Sequence, residues 1–263
     1  MFKADLHMHS TFSDGVLTPG RLLEECLANG IELMALTDHD TFAGSDTLRG
    51  KTLDLPVIPG VELSMADRHG LHLLAYGQAE GRQLRETVQR LAVEREKRAD
   101  RMLERLEALG MPVSGEELRK QCSGTVGRPH IARAMVRLGY AGCMQEAFEK
   151  YLGNGKPAYV AGRKLTMAEA LPLVRESGFI PVLAHPCELQ LELTELEPML
   201  RAWKDKGLMG MEVYHPSAAS VGYLPLDHMA RRLGLLVTGG SDFHQAHDKH
   251  GMIGCTCEAW QTA

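Results

Sequence analysis

The run "ADLHMHSTFSDG", residues 4 to 15, carries two histidines one residue apart in a segment that otherwise reads as a strand. Side chains alternate across a strand, so Asp5, His7 and His9 share one face. Three polar side chains on a buried face are costly unless something binds them. Imidazole and carboxylate together are donors for zinc, manganese or iron, and the absence of thiolates in the set disfavours a structural zinc site.

The same donor types recur where other predicted strands end. Asp14 follows the first strand. Asp38, His39 and Asp40 close "IELMALTDHD", and Glu62 lies near the end of "LPVIPGVELSM". His72 begins "LHLLAYG", His185 ends "GFIPVLAHP", and Asp242 and His244 follow "LLVTGGSDFH". In barrel enzymes, catalytic groups gather where the carboxyl ends of the strands meet. The set His7, His9, Asp14, His39, Glu62, His72, His185, Asp242 and His244 is too large for one ion. It suits two or three divalent ions at about three or four ligands each, with one carboxylate bridging. Manganese is the first choice, with zinc or iron as alternatives. Glu62 and Asp242, with Asp40, are the expected catalytic carboxylates. Asp5 and Asp40 are placed to orient metal-bound histidines, although Asp40 reads equally well as a turn residue. His69, His215, His228, His247 and His250 read as surface or supporting residues.

Something must position these groups. Thr18 as N-cap, Pro19 and Gly30 bound a helix over "TPGRLLEECLANG". Strands and helices alternate through the first 80 residues, which predicts a parallel sheet. About "ADRHG" alone joins the third and fourth strands, too little for a helical crossover, so they form an antiparallel hairpin and the barrel is irregular. If that strand is antiparallel, its first residue His72 lies beside the end of strand three. Residues 82–155 read as helices without a strand. A long amphipathic helix carries Leu84, Val88, Leu91, Met102, Leu106 and Leu109 near one stripe, and Ser114 and Glu117 are spaced as a capping box. The α/β pattern then resumes, giving about seven strands in all. The expected organisation is a discontinuous barrel, 1–81 and 156–263, with a helical insertion at 82–155.

The 263 residues suffice for one such barrel. A net charge of −5 argues against an extended basic surface for long duplex nucleic acid, and leaves a phosphorylated substrate open because bound metals can supply local positive charge. There is no apolar run long enough for a membrane span and no secretory signal. The scattered cysteines Cys26, Cys122, Cys143, Cys187, Cys255 and Cys257 fit no disulfide framework, which points to a cytoplasmic setting. Cys255 and Cys257 form a C-x-C pair with no second pair nearby, and read as two plain thiols.

Taken in order, "DLHMHSTFSDG", "LTDHD", "GVELS", "LAHP" and "GSDFH" strongly resemble the PHP family, the polymerase and histidinol phosphatase domain, over residues 5 to 244. The resemblance implies a distorted (β/α)7 TIM-like barrel and a two- or three-metal phosphoesterase site. Carried over, His7, His9, Glu62 and Asp242 are implied to hold one ion. Glu62, shared, with His72 and His185 would hold a second, and Asp14, His39 and His244 a third. The insertion with "VGRPHIAR" and "GKPAYV" resembles a subgroup that removes the 3′-phosphate from 3′,5′-nucleotide bisphosphates or trims RNA from its 5′ end. The partner is then a small phosphorylated nucleotide or a short RNA 5′ end. Arg128, His130 and Lys156 would clamp a phosphate, the first two at a predicted helix start. A metal-activated hydroxide would attack phosphorus in line, and no side-chain nucleophile is needed. Three rivals stand beside this reading: a histidinol-phosphate phosphatase, an amidohydrolase, and a non-catalytic polymerase-associated subunit. Glu62 fills the place where an amidohydrolase usually carries a bridging lysine.

Overall fold

A computed structural model describes residues 3–49, 54–77, 80–121, 124–246 and 251–257. Cys122, His247 and His250 fall outside them.

Seven strands among the described residues form one sheet in chain order. They are β1 (Ala4–Asp5), β2 (Leu33–Leu36), β3 (Val57–Ser64), β4 (His72–Tyr76), β5 (Ile180–Leu183), β6 (Gly210–Tyr214) and β7 (Leu236–Gly239). All neighbours pair parallel except at β4, which is antiparallel to both β3 and β5. The expected hairpin is therefore present. The ends of the sheet meet: Leu6 N–H donates to the Gly239 carbonyl at 3.1 Å, and His9 N–H to that of Phe243 at 2.9 Å. This is a nearly closed, distorted barrel of the (β/α)7 kind. The first strand is shorter than "FKADLHMH" suggested, and beyond Asp5 it pairs only through a bridge at Met8.

The barrel helices are α1 (Pro19–Ala28), the single turn α2 (Ala43–Asp46), α7 (Met167–Glu176), α8 (Leu193–Asp205) and α9 (Tyr223–Arg232). Thr18 caps α1, its hydroxyl accepting from Arg21 N–H at 3.3 Å. Between β4 and α7 run α3 (Arg82–Ala108), α4 (Gly115–Gln121), α5 (Arg128–Arg137), α6 (Met144–Ala147) and a π-helix, Phe148–Leu152. Glu117 N–H bonds the Ser114 hydroxyl at 3.2 Å, as the capping-box spacing required.

The long α3 joins two cores. Its start packs Leu84 and Val88 into the barrel core. Its second half packs Ala99, Met102 and Leu106 with residues of α4 and α5, in a core that runs on to Ala158 and Val160. The expected stripe holds except at Leu109, which is the C-cap and is exposed.

Candidate metal centre

The chain after β1 is held in place by a buried carboxylate. Asp38 accepts from Ser10 N–H at 2.7 Å, from the Ser10 hydroxyl at 2.8 Å and from the Ser13 hydroxyl at 2.7 Å. That loop presents His9 and Asp14 to the barrel mouth. The chain after β7 crosses directly beside His7, with Asp242 N–H donating to the His7 carbonyl at 2.8 Å. Only glycine fits at 240, where a Cβ would sit 2.4 Å from that of His7. His72 lies opposite Ser64 and beside the end of β3, because β4 is antiparallel. Asp40, His185 and Asp242 have positive φ of 51°, 24° and 53°. Non-glycine residues held in that region cost energy, and such strain clusters at functional sites.

Glu62 is the centre of the arrangement. Its Oε2 is 3.3 Å from His7 Nε2, 3.2 Å from His9 Nε2 and 3.0 Å from His39 Nδ1. Its Oε1 is 2.8 Å from His72 Nδ1 and 2.9 Å from His185 Nε2. Asp242 Oδ1 lies 3.3 Å from His7 Nε2 and 3.1 Å from His9 Nε2. On the other flank, Asp14 Oδ1 is 3.2 Å from His244 Nε2, and the His9 and His244 rings stack at 4.0 Å.

These residues fit metal ions. His7 Nε2, His9 Nε2, His39 Nδ1, Glu62 Oε2 and Asp14 Oδ1 are buried and make no hydrogen bond. Orphaned polar atoms are rare in native interiors, and several aimed at one point indicate an ion. Three groups have ligand atoms within 4.8 Å of one another: His7, His9, Glu62 and Asp242; His9, Asp14, His39 and His244; and His39, Glu62 and His72. Burial opposes charge on Glu62, yet His39, His72 and His7 outweigh it and hold the carboxyl well below its usual range. Burial pushes His72 down to about 4, although Glu62 favours its charged form. His185 and His244 go the other way against burial, raised by Glu62 to about 9 and by Asp14 to about 10, so a metal there would displace a proton from imidazole.

Other residues lie elsewhere than expected. Asp40 turns away from the histidines: its carboxylate accepts from Ser64 N–H at 2.9 Å and pairs with Arg95. Asp5 accepts from the backbone N–H groups of Ser241 at 3.0 Å, Gly254 at 2.8 Å and His7 at 3.4 Å, so it fixes the backbone rather than an imidazole ring. Glu212, a lone carboxylate in the apolar "GMEVY", does what was expected of them. It is fully buried, meets His7 Nδ1 at 3.0 Å and accepts from His185 N–H at 2.8 Å. His215 is buried as well, its Nε2 at 3.6 Å from Asp242 Oδ2.

A cationic recess of about 150 Å³ adjoins the cluster, with Asp14, His39 and His72 in its wall. Arg95 and Arg98 of α3, Arg128 and His130 of α5, and Lys164 line the rest. His130 uses its Nδ1 to accept from Gly127 N–H at 3.0 Å, closing the start of α5. Lys156 is exposed and does not line the recess; Lys164, eight residues on, occupies that role. Burial first, and then the neighbouring Arg128, Arg95 and Arg98, lower Lys164 to about 8, against Glu62. Arg95 and Arg98 are spaced one turn apart within a charge-rich helix, so in the sequence they merge with its solvated face.

The barrel and its cluster of histidines and carboxylates define a metal-dependent phosphoesterase. Residues 5–152 match the PHP domain, and the chain belongs to the PHP family. It is 32% identical to a 5′-3′ exoribonuclease of Haemophilus influenzae, over 92% of this chain and 90% of that protein. It is also 32% identical to a 3′,5′-nucleoside bisphosphate phosphatase of Chromobacterium violaceum, over 93% of this chain and 88% of the other. A solved structure from Bifidobacterium adolescentis, provisionally described as a metal-dependent phosphoesterase, superposes with a TM-score of 0.84 at 30% identity, covering 97% of this chain and 92% of that one.

Proposed function

We propose that the protein hydrolyses phosphate esters of nucleotides, removing the 3′-phosphate of 3′,5′-nucleotide bisphosphates, with trimming of short RNA from its 5′ end as the same chemistry on a longer substrate. The observation that carries this reading is the cationic recess beside the ligand cluster. It offers a second phosphate a station next to the ligand cluster, with Asp14, His39 and His72 shared between the two. The names of the relatives from Haemophilus influenzae and Chromobacterium violaceum support it.

In this reading His7, His9, Glu62 and Asp242 hold one divalent ion. Glu62, His72 and His185 hold a second, and Asp14, His39 and His244, with His9 at hand, a third. Manganese is the ion we assign first, and zinc and iron are the alternatives that mixed imidazole and carboxylate donors equally suit. The bound ions supply an activated water and neutralise charge on the reacting phosphate. The chain's own residues do the rest. Glu62 keeps its carboxylate ionised between the ligand sets. Glu212 holds His7 by Nδ1, leaving Nε2 for a ligand bond. Arg128 and Lys164, with Arg95 and Arg98, bind the second phosphate. Residues 82–155 act as the module that selects substrate, on the barrel formed by 1–81 and 156–263.

The same cations disfavour histidinol phosphate, whose ammonium would face them. Among the described residues no helix is long and apolar enough to cross a membrane. Cys26, Cys143, Cys187, Cys255 and Cys257 are free thiols, which suits a reducing cytoplasm. The test is phosphate release by manganese-loaded protein from a nucleoside 3′,5′-bisphosphate, histidinol phosphate and a short 5′-phosphorylated RNA. The bisphosphate should show the highest kcat/KM or share it with the RNA. Preference for histidinol phosphate would overturn the reading.

A further inference from the structure

Beside the ligand cluster opens a cavity of about 440 Å³. Glu62, His185 and Asp242 line one side, and Pro129, Met144 and Phe148 contribute an apolar wall. A phosphate gains nothing from such a wall, since desolvating an anion against apolar atoms is unfavourable. Phe148 opens the π-helix, an element rare in proteins and frequent at functional sites. Its ring centre lies 5.7 Å from the Arg128 guanidinium carbon, and Arg128 lines the cationic recess. The aromatic wall therefore adjoins the station for the second phosphate and faces the cavity of the first.

We propose that Phe148, flanked by Met144 and Pro129, is the platform on which a nucleobase of the substrate stacks. The inference rests on the nucleotide reading above and adds the part of the substrate that its phosphates leave unassigned. Arg128 then has two tasks, holding a phosphate and fixing the ring that carries the base. Base–aromatic stacking is tolerant of base identity, because every base offers a π face.

The experiment compares kcat/KM for a nucleoside 3′,5′-bisphosphate with that for its abasic analogue, the same sugar and phosphates with hydrogen in place of the base. Wild type should favour the nucleoside. In Phe148→Ala that preference should fall on the order of 10- to 100-fold, carried mainly by KM, while Phe148→Tyr retains it. A wild-type enzyme that treats the two substrates alike would overturn the platform, and this arm needs no variant to fold. A preference left unchanged in Phe148→Ala would overturn it too. Hydrolysis of neither bisphosphate would instead sink the nucleotide reading, and the platform with it.

Discussion

The barrel mouth and the helical wall that faces it are built by different rules. At the mouth, most ligand candidates lie at or near strand ends, Asp14 comes from a loop pinned by Asp38, and Glu62, His7 and His9 are buried almost completely. In the wall, Arg95, Arg98, Arg128 and Lys164 come from helices or a connecting loop and are only half-buried. Chemistry on phosphorus needs donors fixed to within fractions of an ångström, which strands provide. Recognition of a second phosphate needs charge in about the right place, which long side chains provide. In the proposed reading the reaction belongs to the barrel, and the choice of substrate to the wall of helices and the loop that carries Lys164.

The sharpest way to break this division is at Glu62. Glu62→Gln weakens every ligand set that shares the carboxylate, so phosphatase activity should fall by more than about 100-fold, beyond the loss in Asp14→Asn. Steady-state rates on an aryl phosphate settle the order. Near-normal turnover in Glu62→Gln would contradict the central place given to it.

Next comes Glu212, which touches ligands without joining them. Glu212→Gln should weaken manganese affinity about 10- to 100-fold and leave the fold intact. Calorimetric titration with manganese, beside a thermal melt, separates that loss from simple destabilisation.

The wall is tested by Arg128→Ala. Losing a charge-assisted contact costs about 1.5–3 kcal/mol, so kcat/KM on a nucleotide bisphosphate should drop roughly 10- to 100-fold. An aryl phosphate, with one phosphate, should be nearly unaffected. Equal losses on both would place Arg128 at the reacting phosphate instead.

A smaller effect follows from Lys164. Its pKa is lowered to about 8, so the ammonium is present below that pH and lost above it. The groups facing it are Arg95 and Arg98 of α3, Arg128 of α5, and Glu62 of β3. KM for a bisphosphate should rise above about pH 8, and Lys164→Met should remove that limb of the profile. Least of all should change in Lys156→Ala. That side chain is exposed, and bisphosphate kinetics should stay within about twofold of wild type.

The sequence made the strand-end residues legible because strands impose a strict alternation and end at predictable places. His7, His9, Glu62 and His72 come together through pairings that the pattern already implied, including the reversed β4. What it hid depends on contacts remote in sequence. Glu212 reaches His7 across 205 positions, and a single acid in an apolar strand was the only sign of it. Asp40 follows a metal-ligand candidate and yet, from a backbone position of positive φ, points to Ser64 N–H and Arg95. Arg95 and Lys164 were hidden for another reason. Charges on a long helix and in a loop are normally solvated, and only the packing of α3 against α5 and the barrel brings them to one recess. The basic residues of "RPH" and "GKP" drew notice by motif, and of these only Arg128 and His130 line it.

Metal content tests the central claim most directly. Protein purified without chelator and reloaded with manganese should carry at least two equivalents per chain by elemental analysis, and Glu62→Gln should carry fewer. Wild-type protein that retains well below one equivalent after reloading would contradict the account of a multi-metal centre built around Glu62.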